Sequence, residues 1–306
     1  MCVYTYLFNE TIVSLKRYSD FYIEPTRVAL VGSKRLYCIR YILKDMDFTL
    51  FIFVFVFGTV VGSFLNVVIF RYNTNFSLGG RSVCLYCGKT LKWYELVPLL
   101  SFLAQKGRCA TCKSRLSLQY PLVEFATGAL FLLSFIYAEN YMASAFFYFL
   151  PYLFAIMSIL LVIVVYDLRH KIIPDKLVFS FILLSLIRPA LFLLPGENLP
   201  SALLSGPLFS APFALLFFIS RGKWIGLGDA KLVLGIGWFL GIVKAGLAVL
   251  FSFWIGALFS IILLFLRGRQ FTMKSEIPFA PFLLLGFAIA LFVPTDYLLK
   301  LLGFSG

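Results

Sequence analysis

The sequence predicts an all-α polytopic membrane protein of about eight transmembrane helices, with a small polar insert between helices 1 and 2. Three observations carry that expectation. The chain is 61% hydrophobic and only 13% charged, with mean hydropathy +0.95, which excludes an ordinary soluble domain. Its apolar runs approach the ~20 residues a helix needs to cross a bilayer. Its 27 Lys and Arg, against 14 Asp and Glu, collect in alternate connections between those runs. That placement fits a bilayer, and no nucleic acid, as the partner of a net charge of +13.

Residues 1–45 contain seven Lys or Arg, four Asp or Glu and no spanning run. They lack the charged, apolar, small-residue order of a cleaved signal peptide. Met46 stands just before the first span, FTLFIFVFVFGTVVGSFLNVVIF (48–70). The expectation is therefore that 1–45 is a mis-assigned extension, with Met46 the alternative start and 46–70 the first helix. Residues 71–117 form the polar insert, and 118–306 a seven-helix domain with runs at 118–137, 144–166, 177–194, 199–220, 230–244, 246–266 and 278–299. The 230–244 run is short and broken by glycine, as a tilted or partly buried helix would be. No internal repeat or low-complexity tract stands out.

Basic residues orient these spans. The insert holds eight Lys or Arg against the single acid Glu95, and loops 167–176, 221–231 and 267–276 hold three each. The opposite connections hold about two, Lys244 and Lys300. The positive-inside rule then puts the insert and all three basic loops in the cytosol.

Within the insert stand CLYCGK (84–89) and CATCKS (109–114), with 21 residues between Cys87 and Cys109. Two CxxC pairs at such a spacing suit a tetrahedral four-thiolate zinc site at Cys84, Cys87, Cys109 and Cys112. Metal–thiolate bonds can fold a small module that lacks a core of its own. Two disulfides are the alternative, disfavoured in a reducing cytosol. Lys89, Lys92, Arg108 and Lys113 are placed to favour thiolates, and Gly88 and Gly107 suit tight turns. Cys2 and Cys38 fall in the doubtful extension and receive no role.

Two aspartates adjoin apolar runs on the same predicted face: Asp167 in YDLRHKIIPD (166–175) and Asp229 in IGLGDAKL (225–232). A carboxylate at membrane depth is costly, so it is a functional candidate by default. Two carboxylates sharing one proton can activate water as aspartic proteases do. Taken singly, Asp167 fits an interfacial partner of Arg169 or Lys171, and Asp229 fits a helix N-cap. Gly226 and Gly228 beside Asp229 permit an irregular turn and close helix approach. Asp175, after Pro174, suits the N-cap of the fourth span. Glu124 lies a turn or two inside the second span, either as partner to a basic residue or in a functional polar cluster. His170 reads as a plain interfacial residue, and Arg71 as one that snorkels toward headgroups.

Taken together, GSFLNVVIFR (62–71), the CxxC pairs, SFLAQKGRC (101–109) through YPLVEFATG (120–128), DLRHKIIPD (167–175), GLGDAKL (226–232) and IPFAPFLLLG (277–286) resemble the bacterial type IV prepilin peptidases. These are bifunctional leader peptidase/N-methyltransferases and GxGD membrane aspartyl proteases. The similarity covers about 48–290. It implies that Asp167 and Asp229 are catalytic. It also implies that the insert is associated with methyl transfer from S-adenosylmethionine, and that the substrates are prepilin or pseudopilin precursors. The location implied is the bacterial inner membrane, with the active site facing the cytoplasm. The cut would follow a glycine, and the new N-terminal residue, typically Phe, would be methylated. Acidic groups such as Glu95 or Glu276 are candidates to guide the basic leader. Ala280 stands where the family usually has glycine. A presenilin-like protease would share GxGD but lack the CxxC insert. A transporter using the aspartates as a proton or cation relay would carry them nearer mid-bilayer.

Overall fold

A computed structural model describes residues 25–74, 79–84, 86–142, 145–193, 198–267 and 277–303, with side chains from 48 onward. The chain forms two units, Met1–Phe53 and Val54–Gly306. The second holds the insert and every candidate site residue. Helix α1 runs Pro25–Arg71, continuous through Met46. The start-site expectation for 1–45, with Cys2 and Cys38, lies outside the described side chains.

Each of the eight apolar runs lies on helix. After α1 come the short α2 (Leu100–Ala104) in the insert, α3 (Gln119–Tyr141), α4 (Phe146–His170), α5 (Asp175–Ser185) and α6 (Ile187–Leu191). These are followed by α7 (Leu199–Ser220), α8 (Leu227–Leu240), α9 (Ile242–Arg267), α10 (Ala280–Phe292) and α11 (Thr295–Leu301). Among the described residues five helices are long and apolar enough to cross a bilayer, or six if the 115° bent pair α10–α11 counts as one span. The run at 177–194 divides into α5 and α6. The 230–244 run becomes α8, whose 14 residues rise only about 21 Å against a ~30 Å hydrocarbon core.

Helix ends follow local chemistry. Lys171 takes a left-handed conformation (φ 53°) that closes α4, its N–H donating to the Asp167 carbonyl. Asn198 caps α7 by accepting the Ser201 N–H at 2.9 Å. Gly241, at φ 76°, ends α8. Three buried hydroxyls find partners within their own helices: Thr127 donates to the Val123 carbonyl, Ser134 to Leu130 and Ser252 to Ala248. Such bonding is what a medium without water demands.

The short helix α8 sits in the middle of the bundle, packed on α7, α5, α9 and α10. It buries Leu232, Val233, Ile236, Phe239 and Leu240, so its brevity reflects a position inside protein. Its Gly237 lies against Gly206 of α7, and Ser205 donates to the Gly237 carbonyl at 2.7 Å. Small residues let these backbones approach, the usual route to helix association in lipid. α1 meets α3 the same way, Gly58 against Gly128 and Gly62 against Glu124 and Thr127.

Candidate active site

Asp167 and Asp229 are brought together. Asp167 lies one turn from the end of α4 and is 5% exposed; Asp229 lies in the first turn of α8 and is 8% exposed. Their carboxylates are close enough for their charges to interact. Asp229 accepts the Gly226 N–H through Oδ2 at 3.3 Å. Its Oδ1 is buried with no hydrogen-bond partner among the described residues, an orientation that leaves it available to a reacting group. Asp229 is therefore not the N-cap of α8, a place Gly226 takes; from the third helical position one of its oxygens accepts the N–H of that cap.

Asp167 does not pair with Arg169 or Lys171. The Arg169 guanidinium lies over the Phe70 ring at 4.3 Å, and the backbone N–H of Ala280 lies near the Asp167 carboxylate. Ala280 begins α10, with Phe279 as N-cap and proline in the first turn. The positive end of a 13-residue helix is thus directed at the carboxylate. Sequence reasoning treated position 280 only as an added methyl. The proline-led start of IPFAPF was the available signal that a helix N-terminus stands there.

The glycines of GLGD act differently from one another. A Cβ on Gly228 would fall 2.8 Å from Ile173 Cβ, so the α4–α5 loop can close over α8 only because Gly228 has no side chain. A Cβ on Gly226 would meet Asp229 Oδ2 at 3.4 Å, an ordinary contact. Ile173 is a site neighbour that carried no sequence signal. Asp175 is the first residue of α5, and Pro174 is the N-cap. Asp175 therefore does not cap the helix; it accepts from Lys231 at 2.6 Å. This ion pair ties the two aspartate motifs together across their loops.

The insert lies at the same end of the bundle. Phe70 stacks on Tyr120 (5.1 Å between centroids), and Tyr72 meets Tyr166 edge-on at 5.4 Å. Both ends of the insert therefore adjoin the helix end that carries Asp167. Glu124 is buried and accepts the Leu99 N–H at 2.8 Å, with the Ser63 hydroxyl nearby. Among the described residues it pairs with no basic side chain, and it fastens the insert to α3. Asn66 donates to the Tyr120 carbonyl at 3.2 Å.

The four sulfurs of Cys84, Cys87, Cys109 and Cys112 lie within 4.8 Å of one another. Cys84 and Cys112 Sγ are 3.8 Å apart, too far for a disulfide. A tetrahedral site with metal–sulfur bonds of about 2.3 Å has an edge of about 3.8 Å. The residues fit a four-thiolate metal. Two matching turns present them. Gly88 N–H donates to the Cys84 carbonyl (2.9 Å) and Lys113 N–H to that of Cys109 (3.0 Å). Gly88 and Lys113 are both left-handed (φ 69° and 59°), and antiparallel bridges Val83–Thr90 and Arg108–Arg115 close the turns. The insert is thus a duplicated knuckle, a repeat not seen in the sequence because only the cysteines match.

The Cys84 thiol is drawn down to about 6 chiefly by hydrogen bonds from the backbone N–H groups of Cys87 and Tyr86. Four neighbouring cations were expected to do this, and two of them are engaged elsewhere: Lys89 with Glu95 and Thr111, and Lys92 over the Tyr94 ring. Glu95 is buried, accepting the Lys92 N–H at 2.8 Å, which also holds its carboxyl below the usual range. It is a strut of the module and no guide for a leader. Glu276 lies outside the described residues.

Fold and site together define a polytopic membrane protein with a paired-aspartate centre and a four-cysteine module. Residues 56–138 match the Bacterial Peptidase A24 N-terminal domain, and residues 153–261 match the Type IV leader peptidase family. The chain belongs to that family. It is 32% identical over 241 residues to the prepilin leader peptidase/N-methyltransferase of Bacillus subtilis (strain 168), covering 77% of this chain and 91% of the relative. Identity to the enzymes of that name is 32% in Pseudomonas putida (74% of this chain, 85% of the relative) and 31% in Pseudomonas aeruginosa (76% and 87%). No solved structure matches.

Proposed function

We propose that this chain is a membrane aspartyl endopeptidase that removes the leader from type IV prepilin-like precursors and then N-methylates the new N-terminal residue. The observation that carries the peptidase reading is that Asp167 and Asp229 are both buried at one end of the bundle, within range for their charges to interact. Like charges so close share one proton more readily than both ionise. The ionised carboxylate takes a proton from water as it attacks the scissile carbonyl, and the protonated one donates to the carbonyl oxygen. The pair titrates as a unit, so the two roles belong to the pair.

The basic connections support a cytoplasmic orientation for this end by the positive-inside rule, and with it a bacterial inner-membrane location. The apolar segment of the precursor lies in the bilayer and presents its leader junction there. The four cysteines hold zinc, which when bound fixes the insert's fold. S-adenosylmethionine supplies the methyl group of the second step. The insert has no glycine-rich nucleotide loop, and no residue is assigned to the donor.

The test is cleavage of a prepilin-like substrate in membranes by wild type, Asp167→Ala and Asp229→Ala. Loss of about 10²-fold or more in each inserted variant is expected. Normal cleavage by both would overturn the reading and favour a relay or a scaffold.

A further inference from the structure

The insert exposes apolar side chains that no part of the described protein covers. Leu100 and Leu103, one helical turn apart on α2, are 66% and 70% exposed, and Trp93 is 80% exposed. On a water-facing module such a group marks an interaction site. The height of α2 above the bundle decides the partner. Glu124 lies opposite Gly62, which is nine residues, or about 13 Å, below Arg71 on α1. A glutamate side chain and its hydrogen bond to Leu99 span roughly half of that distance. Leu99 therefore lies below Arg71, level with about Asn66–Val67 of α1 and inside its apolar stretch. Leu100 and Leu103 follow it at the boundary between acyl chains and headgroups, where Trp and Tyr also collect.

The C-terminal end of the same segment opens into a cleft of about 540 Å³ lined by Ala104, Gln105, Lys106, Arg108, Ala110 and Lys113. It presents three cations and no acid. Ala104 is the last residue of α2 and Gln105 its C-cap, so the basic cleft continues directly from the apolar helix. Apolar side chains at acyl depth beside a basic, acid-free cleft are complementary to one ligand class, an anionic phospholipid.

We propose that α2 of the insert docks into the leaflet beside it through Leu100 and Leu103, and that the Lys106–Arg108–Lys113 cleft holds the headgroup phosphate of an anionic lipid. The module would then be seated on the membrane surface as well as tethered by α1 and α3. Nothing in this depends on the peptidase chemistry, and cleavage-inactive Asp167→Asn protein should behave as wild type.

The experiment is amide hydrogen exchange of the full, zinc-loaded chain in three settings: detergent, nanodiscs of phosphatidylcholine, and nanodiscs that also contain phosphatidylglycerol. Amides of residues 100–116 should exchange roughly tenfold more slowly in the anionic discs than in detergent, with an intermediate rate in neutral discs. Leu100→Ser/Leu103→Ser should lose protection in both discs. Lys106→Glu, outside both knuckle turns, should lose only the phosphatidylglycerol increment, zinc content being unchanged. Equal exchange of the wild-type chain in all three settings overturns docking and needs no variant. Inorganic phosphate in detergent slowing these amides as much as phosphatidylglycerol overturns the lipid assignment.

Discussion

The cysteine cluster and the aspartate pair share one end of the molecule but are assembled by opposite routes. Each knuckle is closed within six residues, by Cys84 N–H to the Lys89 carbonyl and Cys109 N–H to the Ser114 carbonyl, both at 2.9 Å. Little hydrophobic packing supports the knuckles, so the zinc proposed for the four cysteines would supply the folding energy. The aspartate pair spans 62 positions of sequence and depends on three helices: α4 for Asp167, α8 for Asp229 and α10 for the Ala280 amide. Packed helices hold it without a ligand. A local motif can thus be stabilised by an ion, whereas a non-local pair of like charges needs a rigid scaffold to keep it together.

Metal removal separates the two most strongly. A structural zinc is worth about 10–16 kcal/mol in small modules, so chelation should abolish exchange protection across 82–116. Cleavage by the membrane bundle should fall by no more than a few-fold. A parallel collapse of both would show that the centres are not independent. Next comes the pair itself: Asp167→Asn and Asp229→Asn should each lower the cleavage rate by ~10²–10⁴ while methylation of an already cleaved substrate persists. Single-turnover assays on the two substrates separate these outcomes.

Smaller effects probe the scaffold. Gly228→Ala overpacks against Ile173 and should cost about 1–3 kcal/mol, read as a lower melting temperature and roughly tenfold slower cleavage. Gly226→Ala, whose Cβ meets only an ordinary contact, should be far milder, and equal losses at the two glycines would contradict the Ile173 account. Asp175→Ala breaks an ion pair whose carboxylate is 66% exposed and should cost under ~1 kcal/mol. Smallest of all is Gly88→Asn. Lys113 already occupies the matching left-handed position in the second knuckle, and a Cβ at Gly88 meets nothing within 4 Å. Zinc affinity should change by less than about threefold.

Much of the site was legible because costly residues stand out against an apolar background. Asp167 and Asp229 are visible for that reason, and the two CxxC pairs by their spacing within a polar insert. What supports them was not legible. Glu95 and Asp175 looked available for substrate or capping, yet each is committed to a lysine, Lys89 and Lys231. Burial and pairing of charge depend on neighbours far along the chain, which spacing does not reveal. The span count shows the same limit. Hydropathy marks α8 as an apolar run, and only its surroundings explain how a helix too short for the bilayer is satisfied inside it.

The sequence by itself determined the membrane class, the helical runs and the cysteine turns, since each depends on composition or on contacts within a few residues. Tertiary structure alone decided which helix ends meet. It set the N-terminus of α10 at Asp167, laid Ile173 over Gly228, and directed one oxygen of Asp229 away from any partner. Those are relations between helices packed in three dimensions, and they follow from how small residues let backbones approach, which linear order leaves unspecified.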